Sequence, residues 1–263
     1  MKKIYLKDSI LALIMMIMLP SLFNACPVSA QGYYPKDNNR GFALLELYSS
    51  QGCNSCPPAD ELISSIQDKA WKTNMNIISI NYHVDYWNYL GWKDPFSKAL
   101  FSMRQYNYAE LFGLRSVYTP QLIINGSMEM IGSDKIRVEQ TINNVLEKKP
   151  RNAISNLKTN YKDNKLFFSA DIDGTTKDKD IYITLLQNNA STNVKEGENK
   201  GRTLKNTNIA RTLIKIPISK MKSIKGSVDL PEDLERNNMS IVLFIQDNTN
   251  GHISGAIYHN LKQ

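Results

Sequence analysis

Cys53 and Cys56, in the stretch SSQGCNSCPPAD (Ser49–Asp60), are the only cysteines after residue 30 of a 263-residue chain. A pair at this spacing can do three things. It can cycle between dithiol and disulfide, it can supply half of a zinc or copper site, or it can staple a loop. A zinc knuckle needs a second Cys or His pair, and none follows. A staple across so short a loop removes little chain entropy. The redox reading is therefore favoured, with metal binding and a structural staple as alternatives.

The flanking residues say where the pair sits. Phe42–Leu47 is a short apolar run that turns polar at Ser49–Gly52, the pattern of a buried strand ending in a loop. From Ala59 to Ala70, apolar residues Ala59, Leu62, Ile63 and Ile66 recur at helical spacing. A cysteine at a helix N-terminus meets unsatisfied N–H groups and partial positive charge, which favour thiolate over thiol. Cys53, nearer the strand end and expected to be the more exposed, is the candidate nucleophile. Cys56, deeper along the helix, is the candidate resolver of a mixed disulfide. Pro57 and Pro58 remove early N–H donors and predict an irregular or late helix start.

Further elements follow. Asn76–Val84 reads as a second buried strand. Parallel strands end on one sheet edge, so His83 and Asp85 should approach the cysteines. His83 is thus a candidate to accept a proton from Cys53 or to stabilise its thiolate, the alternative being a satisfied core histidine. Cys53, Cys56 and His83 together form a soft sulfur/nitrogen set suited to copper(I) or zinc. An aromatic stretch from Asp85 reads as a helical insertion, with a helix over Pro95–Phe112 signalled by Asp94-Pro95. Tyr86, Trp87, Tyr89 and Trp92 either line a substrate groove or pack that insertion. Ser116–Gly132 reads as strand, Asn125-Gly126 turn and strand. A helix follows, capped by Ser133 and stopped by Pro150.

This order is α/β with a central parallel pair. After Pro150 the runs KLFFSADI, DIYITLLQ, IARTLIKIPI, MSIVLFIQD and HISGAIYH predict a β-rich, sandwich-like module. The expected organisation is residues 1–30 as a signal peptide, 31–41 as a loose arm, 42–150 as the α/β domain and 151–263 as the β-rich module. Lys2, Lys3 and Lys7, the apolar run Ile10–Phe23 and the small-residue site Val28-Ser29-Ala30 support the signal. A lipoprotein anchor through Cys26 is a second reading, poorly matched by LFNAC. Export implies an oxidising compartment, where a Cys53–Cys56 disulfide persists. The formal net charge is +7. The basic excess lies in scattered lysines after residue 150, which speaks against a nucleic-acid footprint.

Thr119-Pro120 opens an apolar strand, a costly place for proline unless the bond is cis or the position special. Together with the cysteine pair, it resembles the cis-proline loop of thioredoxin-like proteins. LELYSSQGCNSCPPAD, YHVDYWNYLGWKDPFS, RQYNYAELFGLRSVYTPQLIING and GENKGRTL extend the likeness, and in this order resemble domain-of-unknown-function family 1223, secreted bacterial proteins with a thioredoxin-like domain. The resemblance implies a thioredoxin-like domain over residues 42–150 and a cis bond at Pro120. It also implies that the Thr119 backbone faces Cys53 and that Glu46 resembles the buried proton acceptor of thioredoxins. Gly52 stands where an aromatic is usual, and Asn54-Ser55 between the cysteines leaves the potential open. Glu198 and Arg202, in GENKGRTL, either dock a loop onto the first domain or form a local turn.

The expected function is an exported thiol–disulfide oxidoreductase acting on protein thiols or disulfides. It needs no cofactor beyond the cysteine pair, and its candidate residues are Cys53, Cys56, Thr119, Pro120, His83 and Glu46. A membrane redox partner is a further candidate, and no nucleic acid is expected. The alternatives are a copper or zinc module built on Cys53, Cys56 and His83, and a non-catalytic binding protein with a structural disulfide.

Overall fold

Seven consecutive buried residues, Ala43–Ser49, form strand β1. The structure, a computed structural model, describes residues 41–261. The signal segment with Cys26, and the 31–41 arm apart from Gly41, lie outside the described residues. β1 is apolar on both faces because both are covered. Three helices cover them: α1 (Pro57–Thr73), α2 (Ala99–Phe112) and α3 (Lys135–Leu146). Ala43, Leu45 and Leu47 pack with α1 and α3, while Leu44 and Tyr48 face α2. Among the described residues no helix is long and apolar enough to cross a membrane.

β2 (Ile77–His83) runs parallel to β1, in register from Ala43 opposite Ile77 to Ser49 opposite His83. β3 (Gln121–Ile124) pairs antiparallel with the other edge of β1, and β4 (Met128–Ile131) closes a hairpin with β3. Asn125 and Gly126 both take positive φ at that turn, which Asn and Gly tolerate best.

The second half adds β5 (Ala153–Lys162), β6 (Lys165–Asp173), β7 (Lys179–Asn193), β8 (Thr203–Ala210), β9 (Ile214–Pro217), β10 (Ser223–Asp229), β11 (Met239–Asp247) and β12 (Ile253–Asn260). Five of these extend the first sheet. Its order is β12-β11-β7-β8-β2-β1-β3-β4, with β9 on β7. The join is a parallel contact of β2 with β8 at Asn81 opposite Ile209. β5, β6 and β10 form a separate three-stranded sheet. It covers one face of the extension, against Ile181, Ile183 and Leu185 of β7 and Ile241, Leu243 and Ile245 of β11. The architecture is a mixed α/β fold with one large, mostly antiparallel sheet.

Several boundaries differ from the sequence expectation. α1 starts at Pro57 rather than late, because the first N–H groups of a helix have no intrahelical partner for proline to remove. α2 starts at Ala99, not Pro95, because Asp94 is engaged elsewhere. The cap of α3 is Asp134, which accepts from Arg137 N, not Ser133. IARTLIKIPI splits between β8 and β9, and β5 and β10 had no distinct signal.

α2 ties both halves together through one cation. Arg104, 6% exposed, donates from Nε to Glu46 Oε1 (2.6 Å) and from Nη1 to Gln246 Oε1 (3.2 Å). Its guanidinium lies 4.5 Å from the Tyr182 ring centroid and 5.1 Å from that of Phe244. Tyr108 donates to Glu46 Oε2 at 2.5 Å. Removing one partner of such a pair strands the other charge. Arg104→Ala should therefore cost about 3–5 kcal/mol, read as a lower urea midpoint. The double substitution Glu46→Leu/Arg104→Met should recover much of that loss.

Candidate functional site

The loop from Ser50 to Cys56 joins β1 to α1; Ser50–Cys53 and Cys56 are buried, with neither sheet nor helix to pair the Ser50–Cys53 backbone, while Asn54 and Ser55 are exposed. Cys53 and Cys56 form a disulfide with Cα atoms 5.5 Å apart. Both residues are fully buried, so exposure does not distinguish them, contrary to the expectation for Cys53. The reason is the density of segments around the loop.

One wall is the Tyr118–Pro120 turn. The Thr119–Pro120 bond is cis, as the resemblance implies. Thr119 Oγ1 donates to Cys53 Sγ at 3.3 Å, and Thr119 O lies 4.0 Å from the same sulfur. Ser55 Oγ is 3.2 Å from Cys53 Sγ. Trp87 Nε1 donates to Thr119 Oγ1 at 2.8 Å. With that oxygen occupied as an acceptor, its proton is directed at the sulfur. Trp87 also takes the space beside Gly52, where an added Cβ would lie 3.3 Å from Trp87 Cβ. Tyr89, by contrast, is 79% exposed. Gln105 of α2 holds the turn by donating to Tyr118 O at 2.8 Å.

The opposite wall comes from the far half of the chain. Asn199, fully buried, donates from Nδ2 to both Gln51 O (2.9 Å) and Cys53 O (2.8 Å). Glu198 Oε2 accepts from Asn54 N at 2.9 Å. Arg202 donates to Asn199 Oδ1 at 2.7 Å. GENKGRTL thus docks onto the cysteine loop. Gly197 passes with φ +78°, a conformation suited to glycine, and a Cβ there would lie 3.7 Å from Gly52 Cα. Gln51 adds side-chain bonds to Asn206 (3.1 Å) and from Trp92 Nε1 (3.3 Å).

Beneath the loop is a buried charged cluster. Asp94 Oδ2 accepts from Gln51 N (2.8 Å) and contacts His83 Nδ1 (2.7 Å). Burial pulls the His83 imidazole down, but the Asp94 carboxylate more than offsets this, leaving it above its ordinary value. Burial likewise pushes Asp94 up, while the His83 charge and hydrogen bonds from Gln51 N and Phe96 N bring it below the usual carboxylate range. Among the described residues His83 Nε2 has no hydrogen-bond partner. Asp60, in the first turn of α1, accepts from Asn81 Nδ2 (2.7 Å) and Ser49 Oγ (3.0 Å). Burial raises its carboxyl to about 6, against the opposing pull of His83 and these bonds.

The structure therefore brings Cys53, Cys56, Thr119 and Pro120 together. His83 bonds to Asp94, and Glu46 to Arg104 and Tyr108; neither hydrogen-bonds a sulfur. Glu46 shares the sheet face that α2 covers, whereas the cysteine-bearing helix covers the other. Among the described residues no group of three or more His, Cys, Asp or Glu side chains is placed to hold a metal, so Cys53, Cys56 and His83 are not gathered as a ligand set. Sequence reasoning missed Asp60, Asp94 and Asn199. Asp60 had a usable signal: it lies four residues after Cys56, on one helix face with it. Asp94 was taken for a helix cap, and a lone Asn in a polar loop has no signal.

Because Asp60 titrates higher folded than unfolded, its contribution is fully present below its unfolded value near 4 and is lost as pH rises through about 6. Asp60→Asn removes this loss. Relative to wild type, the variant should gain on the order of 2 kcal/mol between pH 4 and pH 7, measured as the difference between their urea unfolding free energies across that range.

The comparisons with known proteins bear on the family and the fold. No curated protein matches the chain. A crystal structure of an Agrobacterium tumefaciens protein superposes with a TM-score of 0.62 at 24% identity, covering 84% of this chain and 95% of that one. That likeness shows a shared fold. A crystallised domain of the outer membrane lipoprotein Omp28 from Porphyromonas gingivalis covers 43% of this chain and 96% of that one, with a TM-score of 0.27 at 16% identity. The family model described as "Protein of unknown function (DUF1223)" matches residues 44–246. The chain belongs to that family.

Proposed function

We propose that the chain is a thioredoxin-like, exported thiol–disulfide oxidoreductase. The observation that carries the reading is the setting of Cys53: its sulfur is bonded to Cys56 and faces the Thr119 hydroxyl, which Trp87 orients towards it. Hydrogen bonds to a thiolate favour the charged form, as does the start of α1. The core order β2-β1-β3-β4, with α1 and α3 on one face and α2 on the other, supports a thioredoxin-like reading of residues 42–150.

In the reducing direction, the Cys53 thiolate attacks one sulfur of a protein disulfide. A Cys53–substrate bond forms, the substrate S–S bond breaks, and the departing sulfur takes a proton from solvent. Cys56 then loses its proton to Asp60, the buried acid one helical turn along α1. Its thiolate attacks Cys53 Sγ, the internal disulfide closes, and the second substrate sulfur leaves, taking up a proton. Two electrons have passed from the cysteine pair to the substrate. Run backwards, the same steps oxidise a protein dithiol. In this scheme Glu46 has no part, and His83 acts on Asp60 rather than on the sulfur.

Insulin reduction and refolding of a reduced protein test the reading. The wild-type chain should accelerate at least one of them, Cys53→Ala should abolish the effect, and Cys56→Ser should accumulate a mixed disulfide visible on a non-reducing gel. Equal behaviour of wild type and Cys53→Ala in both assays would sink it. Thr119→Val removes a hydrogen bond to the charged sulfur. It should slow alkylation of reduced Cys53 at neutral pH by about tenfold, with the rate recovering at alkaline pH.

A further inference from the structure

Cys53 is sealed on the backbone side by a strap that the chemistry above does not require. Residues 194–202 leave the end of β7 and return into β8, and the strap is braced internally. Val194 N bonds Arg202 O (2.9 Å), Gly201 N bonds Val194 O (2.8 Å), and Arg202 N bonds Asn199 O (3.1 Å). Lys200 pairs with Glu196 on the outer surface. A segment braced in this way holds a shape of its own and presents Asn199 and Glu198 to the Gln51–Asn54 backbone as a unit. Asn199 is fully buried, whereas Lys195, Glu196, Glu198 and Lys200 are exposed.

With Thr119 and Trp87 on one side and the strap on the other, the parts of the loop left open are Asn54 and Ser55, both exposed. An incoming sulfur must approach there, between Thr119, which Ser55 Oγ bonds, and Glu198, which the Asn54 N–H bonds. A small disulfide or a cysteine in an extended segment can pass between them. A disulfide set in a folded surface brings bulk that meets the strap first.

Resting on the redox reading of Cys53, we propose that the strap, through Asn199 and Glu198, determines substrate class: it admits small disulfides and cysteines in extended segments and excludes those in folded surfaces.

The test compares wild type with Asn199→Ala and Glu198→Ala, all fully reduced. Alkylation of Cys53 is followed by peptide mass spectrometry, with iodoacetamide as the small probe and a maleimide carrying a long polyethylene glycol chain as the bulky one. Glu198→Ala should speed the bulky reaction by about tenfold, the equivalent of one lost hydrogen bond, Asn199→Ala, which loses two, by more, and both should leave the iodoacetamide rate near wild type. If the two rates change together, or neither changes, the strap does not select by size and the proposal fails. Glu198→Ala removes a single bond at an exposed side chain, so it decides the matter should Asn199→Ala not fold. Alkylation needs no turnover. A chain inactive in both the insulin and the refolding assays but with size-selective alkylation would overturn the oxidoreductase reading and leave the strap's selectivity standing. An active chain without that selectivity would do the reverse.

Discussion

Everything around the site depends on one constraint: the Gln51–Cys53 stretch is buried and irregular, so its polar groups need partners that no ladder supplies. A buried, unpaired N–H or C=O is costly, and native chains rarely leave one. Ser50 serves two of them locally, its carbonyl taking the N–H of Cys53 and its hydroxyl that of Gly52, and distant segments supply others. Asp94 takes the N–H of Gln51, Asn199 serves the carbonyls of Gln51 and Cys53, and Glu198 takes the N–H of Asn54. The loop is therefore a knot of long-range contacts, and the insertion after β2 and the strap before β8 share the work of holding it.

This explains which parts of the molecule could be read along the chain. Strands buried on both faces announce themselves as continuous apolar runs, so β1, β2 and β11 lie close to where Phe42–Leu47, Asn76–Val84 and MSIVLFIQD place them. The turn at Asn125-Gly126 is local chemistry and is equally legible. What escaped is whatever depends on a partner far away in sequence. Asn199 reaches the loop across 148 positions, and nothing in GENKGRTL marks that asparagine rather than its neighbours. Asp94 precedes a proline and so mimics a helix start, but His83 and Gln51 claim its carboxylate first. Glu46 was legible as a costly charge in an apolar strand. Its partner was not, because Arg104 lies 58 positions away in a separate helix.

The two buried charge systems sit on opposite faces of β1 and differ in kind. Glu46 and Arg104 neutralise each other among aromatic rings and join α2 to both halves of the sheet. Asp60, His83 and Asp94 are less fully matched: among the described residues His83 Nε2 has no hydrogen-bond partner, and burial raises the Asp60 carboxyl to about 6. The first has the character of a fixed brace. The second lies beneath the cysteine loop and holds a carboxyl that titrates above the usual carboxylate range.

The join between β2 and β8 also sets an order of events during synthesis. β2 is complete once residue 83 has been made, yet its outer neighbour ends at residue 210. Until β8 emerges, the growing chain carries a buried-type strand with an open edge, the kind of template on which other chains pair. Domains fold as they are synthesised, N-terminal parts first. For this protein the first half therefore has to be kept apart from its own kind while the second is delivered, a demand that falls on holding chaperones rather than on the finished fold.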